Sequence, residues 1–124
     1  MNLKFLSWQE GKYSDLWFFV HFLSGVTGGT LFLILGVAEP YLWLACGVLA
    51  VLWEIGEWKY KIPESLRNRF LDIVTAFLGA FLGYKYLGSL GYSPAANFWI
   101  FSAEAAILVF LSFIGWKSYR IKRV

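Results

Sequence analysis

Residues 66–88 read LRNRFLDIVTAFLGAFLGYKYLG, a mostly apolar run with one acid, Asp72, near its start and two glycines, Gly79 and Gly83, four positions apart. A helix of about 20 apolar residues is long enough to cross the hydrocarbon core of a membrane. The segment therefore predicts a transmembrane helix. An acid inside such a helix is costly unless it pairs or binds something, which makes Asp72 a candidate functional residue.

Three further segments of the same kind occupy most of the remaining chain, at residues 14–37, 41–60 and 95–117. The 124 residues are 59% hydrophobic and 15% charged, and their mean hydropathy is +0.59. This composition is too apolar for a soluble domain of this size. We therefore expect an all-α membrane protein, a single domain over residues 1–124 with four antiparallel transmembrane helices. The first segment lacks a small-residue cleavage site and is expected to be a retained span.

Positive charge is distributed unevenly along this four-helix arrangement. Of the eleven Lys and Arg residues only Lys85 falls on one side. Cytoplasmic loops carry an excess of Lys and Arg, so both termini and the loop between the second and third spans are predicted to be cytoplasmic, in a multi-pass protein of the cell membrane. The formal net charge of +3 then indicates anionic lipid headgroups as partners and not nucleic acid. The other ten are Lys4, Lys12, Lys59, Lys61, Arg67, Arg69, Lys117, Arg120, Lys122 and Arg123.

Aromatic and polar residues mark the ends of the predicted spans. Trp17, Trp58 and Trp116 lie near the inner ends, where tryptophan is typical of an aromatic belt at the membrane interface. Ser65 precedes the third span and is a plausible N-cap for it.

Three of the spans carry an ionisable residue at a similar depth: His21, Glu54 and Asp72. Counting about 1.5 Å per residue places each of them roughly 8 to 12 Å inside the cytoplasmic boundary. Small residues share their helical faces and allow close helix packing. We therefore expect the three side chains to converge in one cavity open to the cytoplasm. The predicted faces are His21, Ser24, Gly25 and Gly28; Gly47, Ala50, Glu54 and Glu57; and Asp72, Ala76, Gly79 and Gly83.

Several roles are compatible with such a cluster. His21, Glu54 and Asp72 are candidate catalytic residues, with a carboxylate as general base and His21 as acid acting on a lipid-linked headgroup. The same three are the candidate ligands if a divalent metal is the cofactor, although their spacing has no diagnostic metal pattern. A proton or ion pathway, or a structural hydrogen-bond cluster in an assembly or binding module, uses the same residues without turnover. The sequence leaves open whether the protein is an enzyme and whether it forms a homo-oligomer.

Four polar residues near the cluster are candidate ligand-binding groups: Ser24, Glu57, Arg69 and Thr75. Glu57 is close enough to the interface to be solvated instead, or paired with a neighbouring basic residue. Glu104 lies deeper, midway along the fourth span, where a neutral or backbone-bonded acid is expected.

The order of these residues resembles a known family. Glu54-Ile55-Gly56-Glu57, then Arg69, then Asp72 with Gly79 and Gly83 are similar to the signature of VanZ-like bacterial membrane proteins. Asp15 and His21-Phe22 match an earlier element of that signature with a longer spacing. Glu57 stands where the family commonly has Gln, and Ala76 where it has Asn. The resemblance covers about residues 15–84 and implies a cell-envelope protein, in a family whose named member is associated with glycopeptide antibiotic resistance. A lipid-linked or amphiphilic ligand is the expectation that follows.

Overall fold

A computed structural model describes Trp8, residues 16–60 and residues 65–123, with side chains as far as Ser118. Its regular structure over these residues is entirely helical. The described part of the chain contains four helices long and apolar enough to cross a membrane, which confirms the prediction of an all-α protein with four candidate spans. The helices are α1, Trp17–Ile34; α2, Glu39–Lys59; α3, Leu66–Ser89; and α4, Pro94–Arg123.

Some sequence predictions concern residues outside the described part of the chain. They are the start of the first span at residue 14, Asp15 of the family resemblance, and the basic residues Lys4, Lys12 and Lys61.

Local sequence explains where the helices begin and end. Gly36 adopts a positive φ of 66°, a conformation that glycine accepts readily and that ends α1 three residues before the predicted boundary. Pro40 lies in the first turn of α2, where the missing proline N–H costs nothing. Ser65 caps α3 as predicted, because its hydroxyl oxygen accepts a hydrogen bond from the backbone N–H of Asn68 at 3.1 Å.

α1 and α3 form the centre of the molecule and approach each other along their glycines. A Cβ placed on Gly25 would lie 2.9 Å from the backbone nitrogen of Ala80, and one on Gly79 the same distance from that of Val26. Gly83 is equally close to Thr30. The contacting residue numbers increase in the same direction on α1 and α3. The small residues that the sequence spacing predicted for both helices therefore form their contact.

Gly28 does not belong to this interface, although it shares the predicted face of Gly25. No atom lies within 4 Å of a Cβ placed on Gly28. The contact with α3 follows Gly25 and Gly29, and Gly28 is turned away from it by about one residue of helical rotation. Gly28 therefore takes no part in the contact between α1 and α3.

The end of α3 includes a π-helical turn, Leu82–Tyr86. In this turn Lys85 Nζ lies 2.5 Å from a carboxylate oxygen of Glu39 at the start of α2. The Tyr84 hydroxyl donates to the backbone carbonyl of Val37 at 2.6 Å. These two contacts tie the end of α3 to the joint between α1 and α2.

α2 and α4 lie at the periphery and expose apolar side chains. Leu44 and Leu49 of α2 are each 64% exposed, and Val109 of α4 is 70% exposed. A helix surface of this kind suits contact with lipid. Trp17 is a correction to the predicted aromatic belt, because it is only 5% exposed and packs inside the protein.

Candidate functional site

A cavity of about 430 Å³ lies among the four helices. One end is polar and is formed by His21, Glu54 and Asp72, with Ser24 on the same wall. The other end is apolar. Its wall includes Phe32, Leu42 and Leu108, and the largely exposed Leu49 lies on its open side.

His21 and Asp72 contact each other across α1 and α3. His21 Nε2 lies 3.3 Å from Asp72 Oδ2, and Asp72 is only 4% exposed. The close approach of the two helices at their glycines brings these side chains together. An imidazole next to a carboxylate can hold or exchange a proton, and a buried carboxylate is far less costly with such a partner.

Glu54 enters the same cavity from α2 and pairs with Arg69 of α3. The guanidinium Nε contacts the carboxylate oxygen Oε2 of Glu54, and Arg69 itself does not line the cavity. Arg69 thus pairs with Glu54 from outside the cavity wall.

Glu57 is one helical turn beyond Glu54 and has a different environment. It is 7% exposed and accepts a hydrogen bond from the indole N–H of Trp53 at 2.7 Å. The interpretation of Glu57 as a solvated interfacial acid is therefore wrong. Its backbone lies near the end of α2, but its side chain is buried and bonded to Trp53 on the preceding turn.

The remaining sequence-predicted ligand-binding residues fall into two groups. Ser24 lines the cavity, with its hydroxyl donating to the carbonyl of Val20 at 2.7 Å. Glu57, Arg69 and Thr75 are not on the cavity wall. Thr75 is 3% exposed and its hydroxyl donates to the carbonyl of Leu71 at 2.6 Å, so it supports α3 behind the site.

No group of three or more His, Cys, Asp or Glu side chains in the described ranges is arranged to hold a metal ion. His21 and Asp72 contact each other, while Glu54 is held by Arg69. The three candidate ligands thus line one cavity without forming a coordination group.

Sequence reasoning missed the tryptophans of the site. Trp17, Trp53 and Trp116 all line the polar end of the cavity. The Trp17 and Trp116 rings meet edge to face at 5.3 Å, and the ring of Trp53 meets that of His21 at the same distance. A signal was available for Trp53, which precedes Glu54 directly and shares a helical turn with Ala50.

The sequence also did not single out Asn68, a buried polar residue behind the cavity wall. It is completely buried and lies four residues before Asp72, on the same face of α3. That spacing was visible in the sequence, since residues four apart on a helix are neighbours.

Glu104 lies apart from the cavity. Its carboxylate oxygen Oε1 accepts a hydrogen bond from the Thr30 hydroxyl at 3.2 Å. The partner is thus a side chain of α1 and not the backbone. Among the described residues no group bonds its second oxygen.

The chain matches no family model, no curated protein and no solved structure.

Proposed function

We propose that this protein binds an amphiphilic ligand inside the membrane, with the ligand headgroup beside His21, Glu54 and Asp72 and its apolar tail along the rest of the cavity. One observation carries the proposal: the cavity is polar at one end and apolar at the other. Its volume of about 430 Å³ falls within the range of small-molecule sites, about 300 to 1,000 Å³.

The proposed orientation has four antiparallel spans with both termini in the cytoplasm. Contacts among the first three helices support their antiparallel order: His21 near the start of α1 meets Trp53 near the end of α2, and Trp43 of early α2 stacks on Phe77 in the middle of α3. Lys85, the basic residue on the other side, is paired with Glu39. Under this topology the polar end of the cavity faces the cytoplasmic half of the membrane.

The resemblance to VanZ-like proteins extends the proposal to the cell envelope. Glu54, Arg69 and Asp72 carry that resemblance, and they are the residues that make or support the polar end of the cavity. A lipid-linked or other amphiphilic ligand of the envelope is the proposed class.

The geometry favours binding over catalysis as the primary role. The His21–Asp72 pair can move a proton, but Glu54 is held by Arg69 and no metal group joins them in the described ranges. A proton pathway receives less support, because Glu104 is off the cavity wall.

The proposal is tested by filling the cavity. Gly28 lines it and has open space beside its Cα, so Gly28→Leu projects a side chain into the cavity without meeting backbone. Gly47→Leu is the matched control, since Gly47 has equally open surroundings and does not line the cavity. Both changes give the same gain in helix propensity, about 1 kcal/mol at most.

Binding of radiolabelled dodecyl amphiphiles to the protein in lipid nanodiscs is the measurement, with empty nanodiscs subtracted. We expect saturable binding in the original protein and in Gly47→Leu, and its loss in Gly28→Leu. Equal binding by all three proteins would contradict the proposal.

A further inference from the structure

We infer that the cavity takes an amphiphile whose headgroup is an ammonium-type cation without a phosphate. The inference rests on the proposed function and adds the chemical class of the ligand.

The charged groups on the cavity wall favour a cation. Glu54 and Asp72 line it, together with the imidazole of His21, and among the residues that the structure describes no lysine or arginine lines it. Arg69 reaches Glu54 from outside the wall. A phosphate or sulfate headgroup needs donors such as arginine, lysine or free backbone N–H groups, whereas two carboxylates attract a cation and repel an anion.

The aromatic groups favour a cation independently. Trp17, Trp53 and Trp116 surround the polar end of the cavity, and cations bind over tryptophan faces more strongly than over other aromatic rings. Two of the indole N–H groups already have acceptors: that of Trp17 donates to the carbonyl of Trp8 at 2.9 Å, and that of Trp53 to Glu57 at 2.7 Å. These two rings therefore offer π surface to a ligand and no spare donor for an anion.

Both kinds of group line the same cavity. The rings of His21 and Trp53 are in edge-to-face contact at 5.3 Å, and Glu54 follows Trp53 directly on α2. A headgroup cation seated there meets carboxylate and indole together, while its alkyl tail extends toward Phe32 and Leu42. A quaternary ammonium group suits this site because it needs no hydrogen-bond acceptor. It also loses its water easily when it contacts an aromatic face.

The inference is tested with ligands that share one dodecyl tail and differ only in the headgroup. Dodecyltrimethylammonium is compared with its uncharged carbon isostere, with dodecylphosphocholine and with dodecyl sulfate, by competition in the same nanodiscs. We expect the ammonium ligand to bind about tenfold more tightly than the isostere, in keeping with a cation held over aromatic rings. The phosphocholine and the sulfate should bind more weakly still. A two-chain trimethylammonium lipid tests where the natural ligand comes from. If it competes, the ligand is a membrane lipid; if it does not, the ligand is a single-chain amine. Both results agree with the inference.

Two variants test which residues produce the preference for a cationic headgroup. Glu54→Gln removes a carboxylate and Trp53→Leu removes an indole face, and each should lower ammonium affinity about tenfold while binding of the uncharged isostere stays unchanged. Unchanged isostere binding also shows that the cavity has kept its shape. Glu39→Gln is the control, because Glu39 pairs with Lys85 at the far end of α2, and it should leave both affinities unchanged.

The outcomes separate this inference from the proposed function. If the isostere, the phosphocholine or the sulfate binds as tightly as the ammonium ligand and Gly28→Leu still abolishes binding, the cation inference is overturned and the amphiphile site stands. If no ligand shows binding that Gly28→Leu removes, both are overturned.

Discussion

The three acids Asp72, Glu54 and Glu57 have different environments in the structure, although all three lie in the cytoplasmic half of their predicted spans. Asp72 contacts His21, Glu54 pairs with Arg69, and Glu57 accepts a hydrogen bond from Trp53. The sequence predicted the first two as site residues from their depth in the membrane. It did not predict the burial of Glu57, because that depends on how the helices pack around the end of α2.

The amide variants separate a charged site from a structural cluster. Glu54→Gln and Asp72→Asn keep the side-chain shape and remove a charge, so we expect both to abolish the cellular phenotype while the protein still inserts stably. Expression level and thermal unfolding of the purified variants, beside the phenotype, are the measurements. Full activity in both variants would leave only a packing or assembly role.

Glu57 is expected to behave differently. Glu57→Gln retains an oxygen that accepts the indole N–H of Trp53 and should change the free energy of unfolding by less than about 0.5 kcal/mol. Glu57→Leu leaves that donor without an acceptor and should cost about 1 to 3 kcal/mol. Thermal unfolding in detergent compares the two. Equal stability of both variants would show that the hydrogen bond contributes nothing.

Glu104 tests the proton-pathway alternative. Glu104→Gln keeps an acceptor for the Thr30 hydroxyl and lies off the cavity wall, so ligand affinity and cellular phenotype should both stay at their original levels. Loss of the phenotype with normal ligand affinity would instead indicate that Glu104 relays protons.

Among the helices, α1 and α3 set the position of the site. Their glycines were recognisable from the four-residue spacing, and the helix ends followed from Gly36, Pro40 and Ser65 to within about three residues. The cavity was not predictable at the same detail, because it depends on how far α2 and α4 stand from this pair. The inward-facing tryptophans and Asn68 depend on helix rotation, which the sequence pattern defines only loosely.

The contact between α1 and α3 should tolerate no added side chain. Gly79→Ala places a Cβ 2.9 Å from the backbone nitrogen of Val26, where neither helix backbone can yield cheaply, and we expect a loss of about 1 to 3 kcal/mol. Gly47→Ala, with nothing within 4 Å of its Cβ, should gain up to about 1 kcal/mol from helix propensity. Unfolding free energies in mixed micelles compare them. Similar values would contradict the close packing of α1 and α3.

At the scale of the whole molecule, a central helix pair and two peripheral helices line a cavity with polar residues toward one end of the bundle. The asymmetry of basic residues predicts that this end faces the cytoplasm. Exposure separates the two peripheral helices from the central pair, because α2 and α4 expose apolar side chains.

Single-cysteine labelling checks the topology. In a Cys46→Ala background, cysteines introduced at Asn2 and Lys122 should be protected from an impermeant thiol reagent in intact cells, and one at Leu90 should react. Labelling of position 2 from outside would reverse the orientation and place the site in the outer half of the membrane.

The central claim is that an amphiphile occupies the cavity, and photo-crosslinking locates it most directly. Dodecyltrimethylammonium and its uncharged isostere, each with a diazirine in the tail, are bound to the protein in nanodiscs and the labelled residues are mapped by mass spectrometry. We expect labels on cavity residues such as Phe32, Leu42 and Leu108, lost in Gly28→Leu and retained in Gly47→Leu. Labels confined to lipid-facing residues such as Val48 and Val109, and unchanged by Gly28→Leu, would contradict the claim.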